Sequence, residues 1–283
     1  MIRQHPHAAR DPGLGENQRG FTVEMARDAQ QCRQASDLLN LVWQMPEGQD
    51  VLELSTLVAY VHSGCYVATA REVGTGEVIA ASVGFFGPPG TSLHSHITGV
   101  HPSWAGRGVG RAMKEHQRAW CLERGVSAIT WTFDPLVARN AFFNLATLGA
   151  RATAFLPDHY GQMTDGRNAG HGSDRLLVTW DATDHQPPDG PSGASRHVAL
   201  ADHEGRPGTP ITHVPDVCEE VEIAVPLDIE ALRENDPELA AAWRAGAREA
   251  FDSLLADGWT VSGIERPARY LLTRPEDPRE MDR

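Results

Sequence analysis

Residues 100–111, which read VHPSWAGRGVGR, contain the strongest structural signal in this sequence. They follow a strand-like run, Leu93 to Val100, and lead into a helical pattern from about Gly108 to Arg124. A strand that enters a helix through closely spaced glycines leaves several backbone N–H groups unpaired at the positive end of the helix dipole. Because glycine lets a phosphate approach the backbone, this turn predicts an anion-binding site, to which Arg107 and Arg111 could add charged contacts.

Two common phosphate-binding motifs are excluded at this turn. A Walker loop ends in Gly-Lys-Ser/Thr, which the turn lacks, and a dinucleotide fingerprint requires the spacing G-x-G-x-x-G. The glycines here stand at positions 106, 108 and 110. The alternative to a binding site is a tight strand-to-helix turn without function.

The chain on both sides of the turn predicts one α/β (α+β) domain. Apolar residues alternate in the strands and recur at helical spacing in the helices, and the glycines between residues 73 and 77 suit a hairpin turn. The predicted order up to residue 181 is β-α-α-β-β-β-α-β-α-β-β. Six of the seven strands are placed, at 22–27, 65–71, 78–86, 93–100, 128–133 and 175–180, and the four helices at 28–45, 50–62, 108–124 and 139–148.

The remaining segments predict a flexible leader at residues 1–20, a linker at 182–213 and a flexible tail at 276–283. Residues 214–275 predict a C-terminal β-α-β-β extension, in which Asp236 caps a helix that begins with proline. A unit of this size is marginally stable alone, so we expect it to pack on the main sheet or on a partner subunit.

Composition restricts the partners and the compartment. The formal net charge is −13, from 38 acidic and 25 basic residues, which opposes binding to nucleic acid or to an anionic membrane. The four cysteines form no C-x-x-C pair, so neither a disulfide framework nor a thiolate zinc site is predicted. With no apolar run long enough to span a membrane and no apolar signal core, we expect a cytoplasmic protein.

With these features, the sequence resembles the GNAT acyltransferases (GCN5-related N-acetyltransferases). The acyl-CoA motif of that family is a strand ending in V-x-P, followed by Q/R-x-x-G-x-G/A opening a helix. Val100, Pro102, Gly108 and Gly110 are in register with it, whereas Ala105 replaces the usual Gln or Arg. The order of elements from residue 22 to 180 also matches.

The resemblance implies a GNAT-like acyl-CoA-binding domain at residues 21–181, with a mixed, mostly antiparallel sheet flanked by helices. It implies acetyl-CoA, or another acyl-CoA, as co-substrate and no metal. The strand ending at Val100 would pair with pantetheine, and the turn would bind the pyrophosphate. The residues assigned to this turn site are Arg107, Gly108, Val109, Gly110 and Arg111. The C-terminal sequence, including Trp243-Arg244 and Arg248, looks like a GNAT subgroup with a C-terminal extension, which supplies no substrate.

The resemblance also points to candidate catalytic residues. His96 stands four residues before Val100, where some family members carry a glutamate base, and a histidine near neutral pKa suits that task. A period of two would place His94 and Thr98 on the same strand face as His96. The alternative is a histidine that hydrogen-bonds within the sheet. The family's tyrosine acid is missing, since its position is Leu145, and Tyr160 is a possible replacement or a tyrosine packed at a loop hinge.

Four further residues are candidates for binding. Asn140 matches an asparagine common in the family and is assigned to the cofactor. Phe143 and Asn144 follow at helical spacing and could contact the substrate, or else serve capping and lie in solvent. Asp134, directly after a strand, could bind a cationic substrate or cap the following helix. Arg244, Arg248 and Asp252 form either a substrate-facing charge row or a solvated face.

The sequence therefore predicts an acyl-CoA-dependent acyltransferase. The default is acetyl transfer to the amine of a small molecule by direct attack, because no motif places a cysteine for a covalent intermediate. One alternative is a CoA-binding regulatory module without catalysis. Another is a biosynthetic enzyme that uses longer acyl-CoA or acyl-carrier protein. A homodimer is left open.

Overall fold

The structure is a computed structural model that describes residues 20–87, 92–163, 165–166, 170–184, 196–215 and 217–274. These residues have an α/β architecture in which the sheets are mostly antiparallel and flanked by helices, as predicted. They form two compact units. The first extends to Ile129 and includes Asp165 and Gly166, and the second contains the other described residues from Thr130 onward. The predicted leader (1–20, apart from Gly20) and tail (276–283) lie outside the described residues.

The first unit is built on four antiparallel strands in the order β1-β2-β3-β4. Two helices pack on one face and one on the other. Gly99 of β4 lies against Leu39, Val42 and Trp43 of α1, whereas the next residue, Val100, lies beside Gly110 of α3. The elements are β1 (Phe21–Met25), α1 (Ala29–Trp43), α2 (Leu54–His62), β2 (Tyr66–Glu72), β3 (Val78–Phe86), β4 (Ser92–Val100), a 3₁₀ turn (Pro102–Trp104) and α3 (Val109–Leu122).

Strand β4 contains a β-bulge at His96. Val83 of β3 pairs with Ile97 and the next residue, Gly84, pairs with Ser95, so His96 has no partner in the register. An extra residue changes the phase of the alternation. The expectation that His94, His96, Thr98 and Val100 share one face is therefore wrong, since strict alternation cannot anticipate a bulge. His94 and His96 lie with Phe85 on the face that carries α2, whereas Val100 faces α3.

The second unit begins with strands in the order β5-β7-β6, where β6 and β7 pair antiparallel. The predicted helix at 139–148 is an α-helix only at its start and then a π-helix, in which the Leu148 N–H donates to the Phe143 carbonyl at 2.9 Å. Apolar spacing alone does not distinguish the two kinds of helix. The elements are β5 (Ala128–Phe133), α4 (Ala138–Ala141), the π-helix (Phe142–Thr147), β6 (Arg151–Leu156) and β7 (Arg175–Asp181).

The C-terminal part of this unit has a second sheet, in the order β12-β13-β11-β8, with β8 parallel to β11. The predicted strands and the helix capped by Asp236 are present, but α5 was not predicted. Strands β8, β9 and β10 lie within the segment predicted as a linker, because polar composition hid their short apolar pattern. The elements are β8 (Arg196–Leu200), β9 (Asp202–His203), β10 (Arg206–Pro207), β11 (Glu220–Ala224), α5 (Ile229–Asn235), α6 (Pro237–Ala256), β12 (Thr260–Glu265) and β13 (Arg269–Thr273).

Helix α6 packs its apolar face on the sheets. Trp243, Phe251 and Leu254 are fully buried, and Phe251 stacks on Phe155 of β6 with ring centroids 5.6 Å apart. The Tyr270 hydroxyl on β13 donates to the Pro135 carbonyl at 2.7 Å. The C-terminal elements and β6 thus share one core, as expected for a segment too small to be stable alone.

Candidate functional site

The turn at residues 106–111 has the geometry of an anion-binding site. Gly108 is the N-cap residue of α3 with φ +80°, Gly106 has φ +74°, and no side chain caps the helix. The first N–H groups of α3 therefore keep no intrahelical or capping partner. A Cβ on either glycine would meet no atom within 4 Å, so the left-handed backbone and not crowding requires glycine here.

Around this turn, Val109 anchors the helix in the core, whereas the two arginines lie at the surface. Val109 is buried and fixes the start of α3, while a Cβ added at Gly110 would lie 3.8 Å from Cγ2 of Val100. The Arg107 guanidinium lies over the Trp104 ring at 5.0 Å. Arg111 is 55% exposed, with its Nε 3.8 Å from Glu115 Oε1. Both arginines therefore lie near the free amides without being buried in ion pairs.

His96 lies on the bulge with its side chain exposed. Its ring is 5.6 Å from that of Phe85 and 6.2 Å from that of His94, and it makes no hydrogen bond with another described residue. The alternative, in which the His96 ring hydrogen-bonds within the sheet, is therefore not found among the described residues. Partial desolvation lowers the pKa of His96 below its ordinary value. The neutral imidazole, which is the form that accepts a proton, is thus favoured at neutral pH.

In the second unit, Asp134 does not face an open cleft. Its side chain is 8% exposed, and it accepts two hydrogen bonds from Arg244, at 2.9 and 2.6 Å, one from Arg233 at 2.6 Å and one from the Leu136 N–H at 2.9 Å. Burial opposes ionisation, but attraction and hydrogen bonding by Arg244, with Arg233 and the amide, outweigh it, so the pKa of Asp134 is lowered. Its charge is already neutralised, and the prediction that it binds a cationic substrate is not supported.

The π-helix separates the residues that helical spacing had grouped. Asn140 is exposed and Phe143 is half-buried, but Asn144 is buried, and its Oδ1 accepts from the Trp131 indole N–H at 3.1 Å. The predicted common face assumed 3.6 residues per turn, which a π-helix does not have. Asn140 and Phe143 stay available for a ligand, whereas Asn144 has a structural partner.

Tyr160 lies in the loop between β6 and β7 and is 40% exposed. Its hydroxyl is 3.0 Å from Thr132 Oγ1, and the Arg175 guanidinium lies 5.3 Å from the ring centroid. Its backbone N–H donates to Ser173 Oγ at 3.1 Å, which fixes the loop. The Tyr160 ring is thus held against the Arg175 guanidinium, while part of the residue is open to solvent.

Sequence reasoning missed the ion-pair cluster around Asp134 and Asp174. Arg248 donates to the Asp174 carboxylate through Nε at 3.0 Å and Nη2 at 2.6 Å, and Arg244 approaches the same carboxylate at 3.8 Å. The charge row of α6 therefore pairs with aspartates of the preceding sheet. The i, i+4 spacing of the arginines was a visible signal, but their partners are more than 70 residues away along the chain.

The described residues contain neither a cluster of metal ligands nor a membrane-spanning helix. No group of three or more His, Cys, Asp or Glu side chains is placed to hold a metal ion within that part of the chain. No helix among the described residues is both long and apolar enough to cross a membrane.

Residues 30–146 match the model of the Acetyltransferase (GNAT) family. The chain therefore contains a GNAT acetyltransferase domain and is an acyltransferase enzyme. The family uses acetyl-CoA as acyl donor. The matched region includes His96, the turn at 106–111 and Asn140, and it ends before Tyr160 and the C-terminal elements.

Several solved structures are similar to this chain. The yncA protein of Salmonella typhimurium, solved with its cofactor acetyl-CoA, is 17% identical with a TM-score of 0.47, covering 60% of this chain and 98% of that chain. The ribosomal-protein-S18-alanine N-acetyltransferase of Escherichia coli is 15% identical with a TM-score of 0.45, covering 57% and 94%. The IAA acetyltransferase of Bacillus cereus is 17% identical with a TM-score of 0.43, covering 57% and 99%. No curated protein matches the chain. The class assignment rests on the family match and not on these similarities.

Proposed function

We propose that the chain transfers an acetyl group from acetyl-CoA to the amine of a small molecule by direct attack. The observation that carries this proposal is the uncapped first turn of α3, which follows the V-x-P strand end inside the region matched by the family model. The free N–H groups of Gly108, Val109, Gly110 and Arg111 fit a pyrophosphate, with Arg107 as an added cation. The co-substrate supplies the reactive thioester.

His96 is the proposed base. The amine must lose a proton before or during its attack on the thioester carbonyl carbon, as the new C–N bond forms and the C–S bond breaks. The exposed imidazole has no hydrogen-bond partner among the described residues, and its lowered pKa keeps it neutral at the start of the reaction. His94, a neighbour on the same face, is the natural control.

Tyr160 is the proposed acid, which would return a proton to the CoA thiolate. Support comes from its hydroxyl, which lies 3.0 Å from Thr132 Oγ1, and from the 40% exposure of Tyr160, which leaves it accessible to a ligand. Asn140 and Phe143 are proposed as ligand contacts, since both reach solvent.

Direct transfer is favoured over a covalent enzyme intermediate. Cys32 and Cys121 are fully buried, and burial raises the pKa of both thiols, that of Cys121 to about 12. A thiol of high pKa supplies little thiolate nucleophile at neutral pH. Cys65 and Cys218 are partly exposed, but no base is paired with either one among the described residues.

The first experiment is calorimetric titration with acetyl-CoA and with free CoA. Gly108→Glu should abolish binding, because its carboxylate would occupy the phosphate position. Gly125→Glu is a matched control: Gly125 follows the other end of α3, with φ +70° and no atom within 4 Å of an added Cβ, so the backbone strain is similar. Loss in the first variant only supports the proposal. Equal affinity in both variants would overturn it.

Catalysis is tested next, with a panel of small amines and a pH–rate profile. Loss of the ascending limb in His96→Ala, and not in His94→Ala, is expected for the base. Tyr160→Phe should lower the turnover rate without changing the affinity for acetyl-CoA. A specific observation favours the second candidate, a CoA-binding module without chemistry: the family's tyrosine position is Leu145, which is buried in the core at 2% exposure. Tight binding without turnover of any amine would select it.

A further inference from the structure

The second unit contains a cleft that the proposed acyl transfer does not use. It lies between the loop at Gly170–Gly172 and helices α5 and α6, and has a volume of about 540 Å³. This volume is in the range of small-molecule sites. One wall is apolar and consists of Ile229, Pro237 and the alanines of α6, among them Ala241 and Ala245.

The lining also contains guanidinium groups with unused donors. Arg233 is 7% exposed at its side chain, and it spends one N–H, from Nη2, on Asp134. Its other N–H groups donate to no described residue. Arg248 uses Nε and Nη2 for Asp174, which leaves Nη1. Neither arginine has an atom among the described buried polar atoms that lack a partner, so these N–H groups are open to solvent and available to an acceptor in the cleft.

The charges around the cleft also favour an acidic ligand. Arg233, Arg244 and Arg248 line the cleft and contact two carboxylates, Asp134 and Asp174, and the two acidic residues of the lining, Glu249 and Asp252, are exposed on α6. The pKa of His171, also in the lining, is lowered first by desolvation and then by Arg233 and Arg244, with partial opposition from Asp134. The unused N–H groups of Arg233 and Arg248 therefore attract a negative charge, because the exposed carboxylates of the lining are screened by solvent.

We propose that this cleft binds a small organic monocarboxylate with an apolar body. The carboxylate accepts hydrogen bonds from the unused N–H groups of Arg233, and the body lies along the alanines of α6. A planar guanidinium matches a carboxylate with two parallel bonds. Glu249 and Asp252, exposed on α6 in the same lining, repel a second negative charge on the ligand. The proposal is independent of the acyltransferase activity.

The test is calorimetry on the full chain, with 3-phenylpropanoate as the probe. We expect saturable binding of one molecule per chain. The matched amine, 3-phenylpropylamine, and inorganic phosphate should bind at least about tenfold more weakly, because the amine is repelled by the guanidiniums and phosphate has no apolar body. Binding of the amine or of phosphate with equal affinity, or no saturable binding of the carboxylate, would overturn the proposal.

Two variants on α6 locate the site without breaking an ion pair. Ala245→Glu places a carboxylate in the cleft and should weaken 3-phenylpropanoate binding at least about tenfold. Ala242→Glu makes the same change at a residue that is exposed on α6 but does not line the cleft, and it should leave the affinity within about twofold. Arg233→Lys keeps a cation for Asp134 but loses the paired donors, so it should also weaken binding. Equal affinities across the three variants would show that the ligand binds elsewhere.

Discussion

Replacing Asp134 with asparagine removes the shared partner of two buried guanidiniums while keeping the size of the side chain. Arg233 and Arg244 are 7% and 11% exposed at their side chains, and in the variant neither retains a full counter-charge at this position. Breaking a buried ion pair by removing one partner costs about 3–5 kcal/mol, because the remaining charge stays desolvated. With two guanidiniums affected, we expect the upper part of that range, a large fraction of the stability of an ordinary domain.

Urea unfolding followed by the fluorescence of the seven tryptophans measures this loss. Asp252→Asn is the control, since Asp252 is exposed on α6 and should change stability by less than about 0.5 kcal/mol. The pKa of Asp134 is lowered in the folded chain, so its stabilisation is complete above the unfolded pKa of about 3.9 and is lost as the pH falls through the folded pKa. The difference between wild type and variant should thus be constant from pH 7 to about pH 5 and narrow below about pH 4. A loss under about 1 kcal/mol at pH 7 would refute the reasoning.

Three other substitutions or truncations give distinct outcomes. The pKa of Lys114, the single lysine, is lowered to about 7, chiefly by burial. The unfolded chain therefore binds more protons than the folded chain between about pH 7 and 10, and the free energy of unfolding should rise over that range. Lys114→Met should abolish this rise in urea titrations at several pH values. Asn144→Ala removes the side-chain oxygen that accepts from the buried Trp131 indole N–H and should cost about 1–3 kcal/mol in urea unfolding, with the acetyl-CoA affinity unchanged by calorimetry. A chain that ends at Asp181 lacks every arginine that pairs with Asp134 and Asp174, so thermal unfolding should show a lower Tm or no cooperative transition; a cooperative unfolding curve at the wild-type temperature would contradict this.

Local patterns were enough to predict most helices and strands of the first unit. The alternation of Val78 to Phe86 gave a strand with the same bounds as β3, and the glycine spacing before Val109 gave the uncapped start of α3. Both signals lie within about ten residues along the chain, where backbone sterics and apolar period dominate. The residues of the turn at 106–111 could therefore be identified before the structure was known.

Long-range pairing and irregular backbone could not be predicted in this way. The bulge at His96 depends on the register between β3 and β4, which a single strand does not encode. Asp134 was predicted to lie at an open strand end. Its arginine partners are about 100 and 110 positions further along the chain, so local sequence does not indicate them. The π-helix at Phe142–Thr147 could not be predicted either, because the spacing of its apolar residues fits both an α-helix and a π-helix.

The ion-pair cluster of the second unit joins α6 to the preceding sheet, and its arginines make part of the cleft lining polar. Its buried members are two carboxylates, Asp134 and Asp174, and three guanidiniums, those of Arg233, Arg244 and Arg175. Arg175 donates only to the Asp174 carbonyl and to the Met163 sulfur among the described residues. A cluster with a purely structural role would be most stable at charge balance, because each unmatched buried charge adds a desolvation cost. Arg233 and Arg244 line a cleft of small-molecule size, where a ligand carboxylate would add a third negative charge to this buried set of three guanidiniums and two carboxylates.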